Sequence, residues 1–194
     1  MKQLLTALRQ LEEYRALLGA VDGGGCPAAV SGLSPVHRAY VAAGLKEDSG
    51  RPLVMLCADE GECSRMAADL RGLTGQEPAV LTAREFTFHQ AAAASRPWEH
   101  QRLALFQDLL DEKCPILVTT VEALLQRTMP PEYLRQSSRT LRIGERHDLE
   151  ELTKILVAAG YRRCQQVEGV GQFALRGGIL DFFSPAQRHP VRVE

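Results

Sequence analysis

The chain is 194 residues long, with 23 Lys and Arg against 24 Asp and Glu, a net charge of -1 and 45% apolar residues. That apolar fraction excludes a disordered tail and is enough to build the core of one large domain or two small ones. The balanced charge excludes an overall positive field that would draw the chain to nucleic acid or to an anionic membrane.

The opening MKQLLTALRQLEEYRALLGAV has apolar residues at helical spacing broken by Arg9, Glu12, Glu13 and Arg15. This predicts an amphipathic helix and excludes a signal peptide, which needs an unbroken apolar stretch. No run approaches the roughly 18 apolar residues of a membrane span. The glycines and proline of VDGGGCP mark a turn, Ala28-Ala29-Val30 reads as a short strand, and SGLSPVHRAYVAAGL as loop and helix. LVMLCA, after Arg51-Pro52, reads as a strand buried on both faces, and Asp59 and Glu60 open a helix through MAADLRGL. A short strand at 78–81, an irregular stretch from Arg84 to Trp98, a helix from His100, a buried strand at 115–120 and a helix from Val121 to about Arg127 follow. Strands alternating with helices predict a parallel sheet with helices on both faces.

After Met129-Pro130-Pro131 the texture changes, which places a domain junction there and divides the chain into residues 1–128 and 129–194. RTLRIG reads as a strand. Asp148 is the N-cap of DLEELTKILVAAG, with Glu151 completing a capping-box-like start and Gly160 as the stop. RRCQQVE, QFALRG, GILDFF and VRVE are short strands, so the second part is α+β with a largely antiparallel sheet. The strand-like VRVE ends the chain without a polar tail, an expectation of a piece cut from a longer protein. The cysteines Cys26, Cys57, Cys63, Cys114 and Cys164 include no C-x-x-C pair and read as buried, reduced thiols of a cytoplasmic protein.

Two motifs carry functional meaning. A phosphate-binding loop needs G-x-x-x-x-G-K-[ST], because glycine amides face the phosphates, the lysine reaches the outer ones and the hydroxyl holds magnesium. Here the loop reads SGLSPVHR. Aligned on that pattern, Ser31 replaces the first glycine, Val36 the second, His37 the lysine and Arg38 the hydroxyl residue, while Pro35 removes an amide donor. The second motif is GYRRCQQVEGVGQFALRGGILDFFSP, whose strands carry Arg162, Arg163 and Arg176 with only Glu168 and Asp181 as nearby acids. Arginine's planar fork suits a partner's carboxylates. Alternation puts Phe173 and Leu175 on one face and Arg176 on the other, puts Arg162 and Arg163 on opposite faces, and sends one of Phe182 and Phe183 inward with the other beside the arginines. His89, His100 and His147 lack the spacing of a metal site, Cys63 and Ser64 lack a nucleophile elbow, and Trp98 reads as loop packing.

The run LVAAGYRR, VE, GQFALRGGILDFFSP and PVRVE, with PILVTTVEALLQRTMPP and SGLSPVHRAYVAAGL before it in the same order, resembles the N-terminal UvrB-homology module of the bacterial transcription-repair coupling factor (Mfd) family and, more distantly, UvrB. The resemblance implies an α/β fold: a degenerate helicase-like (RecA-like) parallel-sheet domain followed by a small α+β UvrA-docking domain. It implies a non-catalytic module that binds UvrA and recruits nucleotide excision repair to stalled RNA polymerase. ATP belongs to the motor part of a longer parent, an ATP-dependent DNA translocase, and RNA polymerase and DNA are partners of that parent. Arg162, Arg163, Arg176, Phe182 and Phe183 are then the UvrA-contact candidates. UvrB relatives carry arginine two residues after the tyrosine, which favours Arg163, and Mfd-like sequences often carry it directly after, which keeps Arg162 in play. The alternative is a nucleotide-dependent DNA helicase, or UvrB-like domain, with an atypical P-loop. His37 speaks against it, because a neutral imidazole supplies no fixed charge to phosphates.

Overall fold

The computed structural model describes residues 2–84 and 96–194, so most of the stretch read above as an irregular loop, and His89 with it, lies outside the described residues. Two compact units form: residues 2–84 with Glu112–Gln126, and residues 96–111 with Arg127–Glu194. The units interleave in sequence, with the last crossing between residues 126 and 127.

The first unit begins with two helices, α1 (Lys2–Gln10) and α2 (Glu12–Gly23), where the sequence pattern predicts one. Leu11 between them is extended, with φ -70° and ψ 129°. The break lets Tyr14 bury with Leu5 and Leu8 against Tyr40, Val41 and Leu45 of α3 (Pro35–Ser49). Ala28-Ala29-Val30 is not a strand: these residues are exposed and pair with no neighbour. Two alanines and one valine carry too little apolar surface to hold a strand without burial.

β1 (Leu53–Cys57), α4 (Glu60–Thr74), β2 (Ala79–Leu81), α5 (Arg96–Leu110), β3 (Ile116–Thr120) and α6 (Val121–Leu125) follow. The strands form a parallel sheet in the order β1-β3-β2. Asp59 caps α4 by accepting a 2.7 Å hydrogen bond from the Glu62 amide, and Gly75 closes it with φ 71°. β3 is buried throughout, and its Ile116 and Val118 pack with Met66 and Leu70 of α4. β1 corrects the expectation of a strand buried on both faces. Leu53, Met55 and Cys57 face this core, but Val54 and Leu56 are each 55% exposed. β1 is one of the sheet's two edge strands; an apolar run marks a strand without saying what covers it.

The second unit takes α5, which begins at Arg96, four residues before the expected start at His100. On α5 the Arg102 guanidinium lies 5.2 Å from the Trp98 ring and 5.0 Å from that of Phe106. Trp98 thus stacks along its own helix and is no part of a loop. A helix absent from the sequence reading, α7 (Pro131–Ser137), opens on Pro131. RTLRIG is a turn where a strand was expected. The Glu145 amide donates to the Arg142 carbonyl, Glu145 Oε2 accepts from the Arg142 amide, and Gly144 has φ 88°. α8 (Leu149–Ala158) is capped by Asp148, which accepts from the Glu150 amide at 2.8 Å, and Gly160 with φ 83° ends the segment. β4 (Arg162–Arg163), β5 (Gln172–Arg176), β6 (Ile179–Phe183) and β7 (Val191–Val193) form a sheet in that order, antiparallel except for the β4–β5 pair. Phe173, Leu180 and Leu152 are its buried core, with Leu156, Leu175, Phe182 and Val193 packed around them.

Within the first unit, Asp48 ties α1 and α2 to α3. Its carboxylate accepts from Arg9 Nε at 3.0 Å and from the Tyr14 hydroxyl at 2.7 Å. The Arg9 hydrogen bond outweighs desolvation and holds the Asp48 pKa below its ordinary value. A depressed carboxylate contributes stability that is present above the unfolded pKa of about 3.9 and is lost as pH falls through the folded value. Asp48→Asn is therefore expected to cost about 1–3 kcal/mol at pH 7 and to flatten the acid limb of stability. Urea denaturation at pH 7 and across pH 5 to 2 checks both; equal stability at pH 7 contradicts the assignment.

Candidate functional site

The candidate site is the outer face of the four-stranded sheet, and its composition follows from alternation. Burial of Phe173 and Leu180 fixes which side of β5 and β6 faces the core. Gln172, Ala174 and Arg176 on β5, and Ile179, Asp181 and Phe183 on β6, then take the other side. Arg162 is in register with Gln172 and so shares this face, whereas Arg163 is in register with Phe173 and leaves on the core side, where it stays exposed at the sheet edge. Of the two arginines the structure thus brings Arg162, not Arg163, beside Arg176. The two line one open hollow of about 550 Å³ with Cys164, Gln165, Glu168 and Gln172.

The floor of the hollow is built by the Gln172 side chain. Its Oε1 accepts from the amides of Glu168 at 2.9 Å and Gly169 at 3.2 Å, which folds the 165–171 loop over β5. The Arg162 amide donates to the Gly171 carbonyl at 2.8 Å, and the Gly171 amide to the Phe183 carbonyl at 2.8 Å. Phe182 packs into the core, and Phe183 lies on the outer face in register with Gln172. The expected inward and outward pair is thus resolved as Phe182 in and Phe183 out.

Sequence reasoning missed two members of this face. Asp181, a neighbour acid in the sequence reading, lies centrally and is only 14% exposed. Arg192 on β7 donates to it through Nε at 2.7 Å and Nη2 at 3.0 Å, and Arg176 donates through Nη2 at 3.1 Å. Hydrogen bonding from Arg192, then from Arg176, holds the Asp181 carboxylate below its ordinary pKa. The V-R-V alternation of β7 was the available signal for Arg192.

Residues 140–194, which contain this whole face, match the UvrB interaction domain family. Over its full length the chain is 26% identical to the transcription-repair-coupling factor of Bacillus subtilis, of which it covers 17%. It is 33% identical over 88% of its length to that of Mycobacterium bovis and 32% identical over 84% to that of Myxococcus xanthus, covering 14% of each. The chain is a homologue of the transcription-repair-coupling factors. It spans about one sixth to one seventh of the length of these relatives.

The residues set against a phosphate loop lie elsewhere, in the first unit. Ser31, Val36, His37 and Arg38 are all exposed at the start of α3, and no strand leads into them. Ser34 Oγ lies 3.0 Å from His37 Nδ1. Arg38 donates to Glu62 Oε1 at 3.1 Å, and Glu62 Oε2 accepts from the Ala58 amide at 2.8 Å. An acidic side chain thus occupies the nearest cation and backbone donor, which is adverse to a phosphate. Other candidates are accounted for structurally. The expectation of buried thiols holds for Cys57 and Cys63, whereas Cys26 is exposed and Cys114 and Cys164 are half-buried. Burial pushes the Cys63 thiol up to about 12, while Ser64 donates to the Glu60 carbonyl. His147 lies 3.2 Å from Glu145, and among the described residues no group of three or more His, Cys, Asp or Glu side chains is placed to hold a metal ion. No described helix is long and apolar enough to cross a membrane.

The expectation is that ATP with magnesium shows no saturable binding at micromolar concentration. Equilibrium dialysis with labelled nucleotide checks this, and a saturating isotherm in that range overturns it.

Proposed function

We propose that the chain is a non-catalytic docking module that binds UvrA and thereby recruits nucleotide excision repair to a stalled RNA polymerase. Docking is assigned to residues 129–194 and the nucleotide-site remnant to residues 1–128. ATP-dependent translocation and the contacts with DNA and polymerase belong to the rest of a longer, cytoplasmic parent. The observation that supports this reading is the hollow in which Arg162 and Arg176 stand together, in the segment that matches the UvrB interaction domain family. Two guanidiniums over a hydrogen-bonded floor offer a ready seat for partner carboxylates, with Phe183 as apolar contact on the same sheet face.

Calorimetric titration of UvrA tests it. A charge-assisted arginine contact that is desolvated on docking costs about 2–5 kcal/mol when truncated, against under about 1 kcal/mol for a rim charge. Arg162→Ala and Arg176→Ala are expected in the first class, Phe183→Ala at about 1–2 kcal/mol and Arg163→Ala in the second. Unchanged affinity in all four folded variants places the interface elsewhere.

The same reading gives little affinity for duplex or single-stranded DNA at physiological salt, because the net charge is -1 and the outer face mixes Glu168 and Asp181 with its arginines. Tight, salt-sensitive retardation of a short duplex in a gel contradicts this.

A further inference from the structure

The arginines so far assigned to docking lie on β4 and β5, yet the outer face does not end there. Asp181 on β6 and Arg192 on β7 continue it, in register with Ala174. The carboxylate takes two N–H donors from Arg192 and one from Arg176. A guanidinium has five, so both cations retain donors for a second acceptor, and they remain open to solvent at 54% and 59% exposure. Neighbouring strands are about 4.8 Å apart, so the face is roughly 14 Å wide from β4 to β7.

We propose that Arg192, held in place by Asp181, is a further docking residue, and that the partner segment is acidic and long enough to reach both the Arg162–Arg176 hollow and β7. The inference rests on the docking reading above and extends it by one residue, one positioning residue and the partner's chemistry. Asp181 acts through the arginines: its carboxylate fixes the plane of Arg192 through two hydrogen bonds and restrains Arg176 through one before the partner arrives, which reduces the rotamer entropy lost on docking. Acidic protein is favoured over nucleic acid as the occupant. Asp181 and Glu168 stand among the cations and oppose a continuous phosphate backbone, while leaving room for separate carboxylates.

The experiment is calorimetric titration of UvrA with the 194-residue chain carrying Arg192→Ala, Arg192→Lys or Asp181→Asn, beside Arg162→Ala and Arg176→Ala, each at two salt concentrations and with circular dichroism as the folding check. Arg192→Ala is expected to weaken binding about tenfold and to lessen its salt dependence. Arg192→Lys, which keeps β7 and the charge but not the fork, recovers part of the loss. Asp181→Asn weakens binding several-fold at unchanged folding, and adding it to Arg192→Ala costs less than it does alone. Wild-type affinity for both Arg192 variants, with Arg162→Ala and Arg176→Ala impaired, overturns this inference and leaves the docking reading standing. No effect from any arginine variant overturns the docking reading itself. Tighter binding by Asp181→Asn shows that Asp181 competes with the partner and overturns its positioning role. Retention of a short DNA duplex that Arg192→Ala abolishes, with UvrA affinity unchanged, assigns the residue to nucleic acid and overturns the inference as well.

Discussion

The burial of Phe173 and Leu180 against Leu152 sets the side on which every other residue of the small sheet emerges. Side chains alternate along a strand, so a slip of one residue in β5 would carry Phe173 and Leu175 to solvent and bring Arg176 into the core. The cost of burying an unpaired guanidinium exceeds any gain from the altered pairing. The register is thereby locked, and the outer face inherits its content: Arg162, Gln172 and Phe183 in one cross-strand row, and Ala174, Asp181 and Arg192 in the next. The apolar core and the charged face are two readings of the same alternation.

Elements with strong local signals were legible in the sequence. Asp59 and Asp148 start helices because a short carboxylate satisfies an otherwise orphaned amide, and Gly160 stops the second in the left-handed region. The strands at 53–57, 116–120, 172–176 and 179–183 follow from their apolar or alternating runs. Misreadings occurred where tertiary structure decides. Ala28-Ala29-Val30 has strand-like composition but no surface to pack on, RTLRIG folds on Glu145, and α7 rests on a proline that reads equally well as a breaker.

For the candidate site, alternation within QFALRG was enough to send Arg176 outward, and alternation within GILDFF put Phe182 and Phe183 on opposite faces without saying which of them is inward. It could not decide between Arg162 and Arg163, because β4 is two residues long and its face is set only by pairing with Gln172 and Phe173. Nor could it find the Asp181–Arg192 pair, which joins residues 11 apart through the β6–β7 ladder. The first unit shows the converse case. Its phosphate-loop pattern lacks every diagnostic residue, and Arg38, the cation there, is already engaged by Glu62. Similar residue types thus lead to different expectations, according to whether a carboxylate of the chain pairs with one cation or is shared between two.

The most direct test of the outer face as the docking surface is amide hydrogen exchange of the chain, free and with saturating UvrA. Docking on this face protects residues 165–171, the loop that frames the Arg162–Arg176 hollow, and leaves the amides at the start of α3 unchanged. Protection confined to α3 and α4 of the first unit, with 165–171 exchanging as in the free chain, would contradict it.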